Sequence, residues 1–96
     1  MPTTEEIQAK LIETICAVQL ACGEPEPVLT PKSCPMMELR GFDSPLGVNV
    51  TGVVAIGLGI EIPLELNVFV DDNKHRLTIE ESTALIFKVI NKRSTK

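Results

Sequence analysis

Apolar residues recur at steps of three and four from the start of the chain. Ile7, Leu11, Ile15 and Val18 mark one stripe, and Ile12 and Cys16 widen it. Such spacing lines one face of an α-helix. Ahead of it, Thr3 can cap the free amides, and Glu6, three residues on, can return the bond. Gly23 follows as a stop. The pattern predicts a helix over about 4–21. From Gly23 to Asp43 the rhythm is lost. Pro25, Pro27, Pro31 and Pro35 break any continuous helix and remove amides that a sheet would need. A connection this long is unusual in a small domain. Met36, Met37, Leu39 and Phe42, near its end, are placed to pin it to the core.

The segment PLGVNVTGVVAIGLGI, residues 45–60, can be read in two ways. It carries no charge, and its β-branched residues favour strand. Read as a helix, it puts Leu46, Val50, Val53, Val54 and Leu58 on one stripe, and Pro45 suits the first helical position. Four of the six glycines fall here, and each inside a helix costs roughly 1 kcal/mol relative to alanine. Periodicity alone leaves strand and helix both open. The run is too short to cross a membrane, which takes about 20 apolar residues.

Beyond Ile60-Glu61-Ile62-Pro63, the run LELNVFVDDNKHR is apolar and then charged, and predicts a short helix or irregular segment ending in a solvated turn. Thr78 and Glu81 repeat the capping signature of the amino end. Ala84, Leu85, Ile86, Val89 and Ile90 supply a buried face, with Phe87 at its margin, so a last helix is expected over about 79–91. The tail NKRSTK is basic, which suits a helix C-terminus. There is no internal repeat.

The totals narrow the function classes. Ninety-six residues suit one domain with a modest core. With three aromatic residues and a net charge of −4, the chain lacks both stacking platforms and a basic surface, which argues against nucleic acid. Cys16, Cys22 and Cys34 cannot all pair, and the opening Met-Pro-Thr-Thr-Glu-Glu is not a secretory signal, so a cytoplasmic protein with free thiols is expected. The cysteine spacings and the single histidine, His75, are poor for a metal site. A hydrolase is disfavoured too, because Ser44 has no glycine-flanked nucleophile setting. Asn49-Val50-Thr51 matches a glycosylation acceptor, treated as coincidence where no secretory signal is seen.

One constellation remains. Asp43-Ser44, followed at a fixed distance by Glu61-Ile62-Pro63, resembles the acyl carrier proteins. These read Asp-Ser-Leu, then a helix, then a Glu-Ile-Pro-like ending with the proline twenty residues after the aspartate, the interval from Asp43 to Pro63 here. The upstream LTPKSCPMMELRGFD is similar to the loop before a carrier serine, where Leu-x-x-Leu-Gly-x-Asp-Ser is common. The likeness spans about residues 4–91. It implies an all-α fold, a small helical bundle of three main helices with a long first loop and a short extra helix, and it favours helix for residues 45–58.

For function, the resemblance implies a discrete, monomeric carrier that catalyses nothing itself. A phosphopantetheinyl transferase would esterify the Ser44 hydroxyl with 4′-phosphopantetheine, whose thiol holds an acyl group as a thioester. Asp43 would support the attachment by helping the transferase orient the reactants through its metal. Acyl-transferring or synthase enzymes would be the partners. A helix N-terminus at Ser44 would favour the phosphodiester through unpaired amides and the macrodipole.

The departures from the family are specific. Pro45 stands where leucine is usual, with Leu46 following. No acid occurs between Asp43 and Glu61, where the family's second helix usually carries several, and Asn49, Ala55 and Ile56 occupy such places. Partner choice would then rest on Leu46, Val48, Asn49 and Ile56, either as an exposed apolar strip or as a helix more buried than usual. Gly52 and Gly57 could open room for an acyl chain or permit close packing. These departures suit a dedicated biosynthetic pathway rather than general fatty acid synthesis. The competing reading is a carrier-like domain without the prosthetic group, acting as a protein-interaction module.

Overall fold

The computed structural model describes residues 2–39, 41–63, 66–71 and 73–94. The first helix, α1, runs over Thr4–Ala21, and the anticipated capping box closes it: Thr3 Oγ1 accepts from the Glu6 amide at 3.1 Å and Glu6 Oε1 from the Thr3 amide at 2.9 Å. Its other end closes at Gly23, whose φ of +84° lets the Glu24 amide reach back to the Gln19 carbonyl at 2.9 Å. Ile7, Leu11 and Ile15 are wholly buried, as the spacing requires, and Thr14 and Gln19 share the buried face.

The long connection that follows is anchored at two places. Ser33, Cys34 and Pro35 are buried, and Pro35–Glu38 form a single turn, α2. Phe42 is buried, with Met36 and Leu39 packed against the core, whereas Met37 is 70% exposed and anchors nothing. The loop also serves the last helix. The Ser33 and Pro31 carbonyls accept the Ile79 and Glu80 amides, both at 2.9 Å, satisfying donors that a helix start leaves open.

Residues 44–58 are helical: α3 spans Ser44–Leu58 and ends at Gly59, in the left-handed region at φ +68°. The last helix, α4, spans Ile79–Ser94, three residues beyond the anticipated end, and opens with a capping box between Thr78 and Glu81. Among the side chains of α4 that are described, Ile79, Ile86 and Ile90 are buried together with Ser82 and Thr83, while Ala84, expected inside, faces out. The basic tail falls on side chains outside the described residues.

Among the described residues there are four helices and no strand, so the fold is an all-α bundle. The short extra helix lies in the first loop, not after Pro63. That expectation begins on residues 64 and 65, outside the described ones, and the described residues between Leu66 and Thr78 form no helix. Val68 and Phe69 are nonetheless fully buried, Phe69 meeting Phe42 edge-on with ring centroids 5.2 Å apart. A turn follows, closed by the isolated bridge between Val70 and Arg76.

The core lies where α1 packs on both α3 and α4. Each fully buried aliphatic side chain there contributes roughly 1.5–3 kcal/mol. The radius of gyration, 12.4 Å, is that of a compact chain of this length.

Candidate functional site

Ser44 is the first residue of α3, and Asp43 is its cap. Asp43 is extended, and its Oδ1 accepts from the Leu46 amide at 3.1 Å while its carbonyl accepts from the Gly47 amide at 2.9 Å. Pro45 has no amide to offer. Of the first three helical positions, only Ser44 therefore keeps an unpaired N–H, fewer than the sequence reading allowed for an anion. The dipole of a fifteen-residue helix still points its positive end here. The Ser44 hydroxyl is exposed and makes no hydrogen bond among the described residues.

Behind Ser44 stands Asn67, which nothing in the periodicity singles out. Its Nδ2 donates to the Ser44 carbonyl at 3.4 Å and to the Met36 sulfur at 3.8 Å, and its Oδ1 accepts from the Phe69 amide at 2.9 Å. The amide group lies so close to Gly47 that a Cβ there would sit 2.6 Å from Nδ2. One turn on, buried Thr51 donates to the Gly47 carbonyl at 2.7 Å and accepts from the Val68 amide at 3.2 Å. Segment 67–69 is thus fastened to the first two turns of α3, and α2 to the same point. Ser44 stands on a braced helix start.

The anticipated docking residues divide. Asn49 and Ile56 are exposed, Ile56 at 82%. Val48 is half-buried. Leu46 packs against the core and is a poor contact for a partner. Ala55, expected to face out, is buried with Val50 and Val54, and Val53, expected in the buried stripe, is 46% exposed. Both differences have one cause: the buried face of α3 takes in Gly47 and Thr51 as well as Val50 and Val54, because segment 67–69 packs beside α1, and at 100° per residue a face so centred turns position 53 outward and 55 inward. The outward apolar pair is therefore Val53 and Ile56.

Two open grooves flank Ile56. One, of about 390 Å³, lies between α3 and the segment 60–63 and is lined by Gly52, Ala55, Ile60 and Ile62, with Glu61 at its rim. The other, of about 400 Å³, lies between α3 and the Thr14, Ala17 and Val18 face of α1. The two glycines differ. Gly52 faces open space, whereas Gly57 makes way for the stem of Lys10. Gly57 therefore serves packing, and Gly52 borders a groove.

Elsewhere, the three cysteines are free thiols. Cys22 is exposed, Cys16 half-buried and Cys34 buried. Burial, with Glu26 nearby, pushes the Cys16 thiol up from its ordinary pKa. His75 is exposed on the 70–76 turn, where Nδ1 lies 3.3 Å from Asp71 Oδ2. Backbone hydrogen bonding from His75 is the main reason the Asp71 carboxyl is lowered. Among the described residues no three His, Cys, Asp or Glu side chains gather to hold a metal, and no helix is long and apolar enough to cross a membrane. No family model, curated protein or solved structure significantly matches the chain.

Proposed function

We propose that this protein is a discrete acyl carrier, modified on Ser44 and serving a dedicated biosynthetic pathway. The observation that carries the reading is the placement of Ser44: an exposed, unbonded hydroxyl on the first residue of a braced helix, directly after its aspartate cap. A 4′-phosphopantetheine group attached there supplies the thiol on which an acyl group travels as a thioester.

The surrounding residues fit such a group. The hydroxyl is free to be esterified, Ser44 stands at the positive end of the helix dipole, and no acid other than Asp43 stands in the sequence between Gly41 and Ile60. One Asp43 carboxylate oxygen accepts the cap bond, and the other would be available to an incoming transferase and its metal. The Asn67 brace holds the first turn of α3 while the serine is engaged. The groove beside Gly52 begins seven residues on from Ser44, about 10 Å along the helix axis, so an acyl group on the arm has an apolar surface within reach.

Partner enzymes dock on the uncharged outward face of α3 through Val48, Asn49, Val53 and Ile56, which selects partners with a matching apolar surface. The carrier presents its cargo and performs no chemistry on it.

Intact mass after coexpression with a broad-specificity phosphopantetheinyl transferase tests the reading, beside a Ser44→Ala control. The parent gains one phosphopantetheine and the control gains none. A folded parent that stays unmodified would overturn the carrier reading. It would favour an interaction module, for which the exposed Val53 and Ile56 are the specific support.

A further inference from the structure

We propose that Met36 is a reversible oxidation site whose sulfoxide draws Asn67 off the start of α3. The inference goes beyond the carrier reading and stands whether or not Ser44 is modified.

Met36 lies in α2, half-buried against the core. Its thioether sulfur accepts from Asn67 Nδ2 at 3.8 Å, and the same nitrogen donates to the Ser44 carbonyl at 3.4 Å. One amide group therefore ties α2 to the first residue of α3. Packing alone does not call for sulfur at this place, since a leucine of similar volume would fill it about as well. What the thioether adds is a weak acceptor for Asn67 and an atom that peroxides oxidise. Met37, its neighbour, is 70% exposed and anchors nothing, so oxidation there has no contact to disturb.

The oxidant is a hydroperoxide. A lone pair on the Met36 sulfur attacks one peroxide oxygen, an S–O bond forms and the O–O bond breaks. The other oxygen takes the proton and leaves as water or an alcohol. Sulfur gives up two electrons and the peroxide accepts them. A thiol-dependent sulfoxide reductase reverses the step.

The new oxygen is a far stronger acceptor than the thioether and arises within reach of Asn67 Nδ2. The bond it competes with is long, against about 2.7–3.2 Å for an ordinary N–H···O bond. Asn67 has little freedom to serve both acceptors. Its Oδ1 is held by the Phe69 amide at 2.9 Å, and its amide group abuts Gly47, where a Cβ would lie 2.6 Å from Nδ2. Turning Nδ2 toward the sulfoxide withdraws it from Ser44, whose carbonyl loses its contact from segment 67–69. The sulfoxide also places a polar oxygen on a side chain packed against the core.

The test uses the full chain carrying Met37→Leu, treated with hydrogen peroxide and then with a thiol reductant. The reductant restores oxidised cysteines and leaves methionine sulfoxide in place. Peptide mass should show one added oxygen on Met36, and Tm should fall by at least about 4 °C. The side-chain amide signals of Asn67 in a proton–nitrogen correlation spectrum should move, and a methionine sulfoxide reductase should restore both readings. The Met36→Leu, Met37→Leu protein holds the same cysteines and should keep its Tm under the same treatment. In an Asn67→Ala background, oxidation of Met36 should cost distinctly less, because the donor it captures is gone. A Met36 that resists peroxide at doses that fully oxidise Met37 in the parent overturns the proposal. So does an oxidised Met36 with unmoved Asn67 signals and Tm. Equal loss of Tm with and without Asn67 overturns it too, since the effect would then lie in the core and not in the brace.

Discussion

Alanine at three glycines of α3 should give three different results, because each glycine is there for a different reason. In an exposed helix interior, Gly→Ala stabilises by up to roughly 1 kcal/mol, mostly by restricting the unfolded chain. At Gly52 nothing lies within 4 Å of the new Cβ, so that gain should appear almost whole. At Gly57 the Cβ meets the stem of Lys10, a flexible side chain tied only to exposed Glu13, which can swing aside. The result there should be close to neutral.

Gly47 is the informative case. Its Cβ would lie 2.6 Å from Asn67 Nδ2, 2.7 Å from Oδ1 and 2.9 Å from Cγ, so the whole amide group must move. Moving it breaks the bond to the Phe69 amide, and Phe69 has no exposed surface. An orphaned buried donor costs about 1–3 kcal/mol, and the long bond to the Ser44 carbonyl is lost as well. Against the helix-propensity gain, Gly47→Ala should destabilise by about 1–2 kcal/mol. The gap between Gly47→Ala and Gly52→Ala should then be about 2–3 kcal/mol, or some ten degrees or more in Tm for a chain of this size. Urea and thermal unfolding followed by far-UV circular dichroism measure it. Pairing Gly47→Ala with Asn67→Ala should show strong coupling, since the clash needs both side chains. Equal stabilisation at 47 and 52, or strict additivity with Asn67→Ala, would refute the brace.

Two further predictions concern single groups. Asp43→Asn keeps an oxygen for the Leu46 amide and should hold stability, whereas Asp43→Ala should lose about 0.5–2 kcal/mol; if the carboxylate also serves the transferase, both variants load slowly in a mass-based time course, and normal loading of Asp43→Asn would confine Asp43 to capping. In alkylation of the native protein read by peptide mass, Cys22 should react first and Cys34 only on unfolding. Cys16 should lag Cys22 as the pH rises, because burial lifts its pKa and delays the reactive thiolate; a Cys16 that reacts as fast as Cys22 would contradict its placement.

The parts of the fold legible in the sequence were those with local causes. Thr3 with Glu6 and Thr78 with Glu81 announce their helices because capping boxes close within four residues. α3 was ambiguous for a physical reason. Its interior glycines at 47, 52 and 57 cost it roughly 1 kcal/mol each, and its valines favour strand. Burial of Val50 and Val54 against α1, a contact distant in sequence, offsets that cost. The same distance hid Asn67. Its partners are the Ser44 carbonyl and Met36, more than twenty residues away, and no periodic pattern registers a polar side chain filling the space above a glycine. Ser44 and Asp43 stand out only through their register to Pro63. Val53 and Ala55 were assigned to the wrong faces because a stripe this rich in apolar residues fits several helix rotations equally well.

The start of α3 brings two requirements into one place. A helix needs its first amides satisfied, and an anion bound there would need some of them free. Asp43 takes the Leu46 amide and Pro45 removes another, so the helix start is closed by its own residues before any ligand arrives. What remains for a phosphodiester on Ser44 is one amide and the field of the dipole, a contribution of about 0.3–1 kcal/mol at an exposed site. Binding of that strength would leave the arm loosely held and mobile. The Asn67 contact acts on the opposite side, through the Ser44 carbonyl, and fixes the backbone without touching the hydroxyl. The backbone is held and the hydroxyl is left free, as the proposed carrier role would require of Ser44.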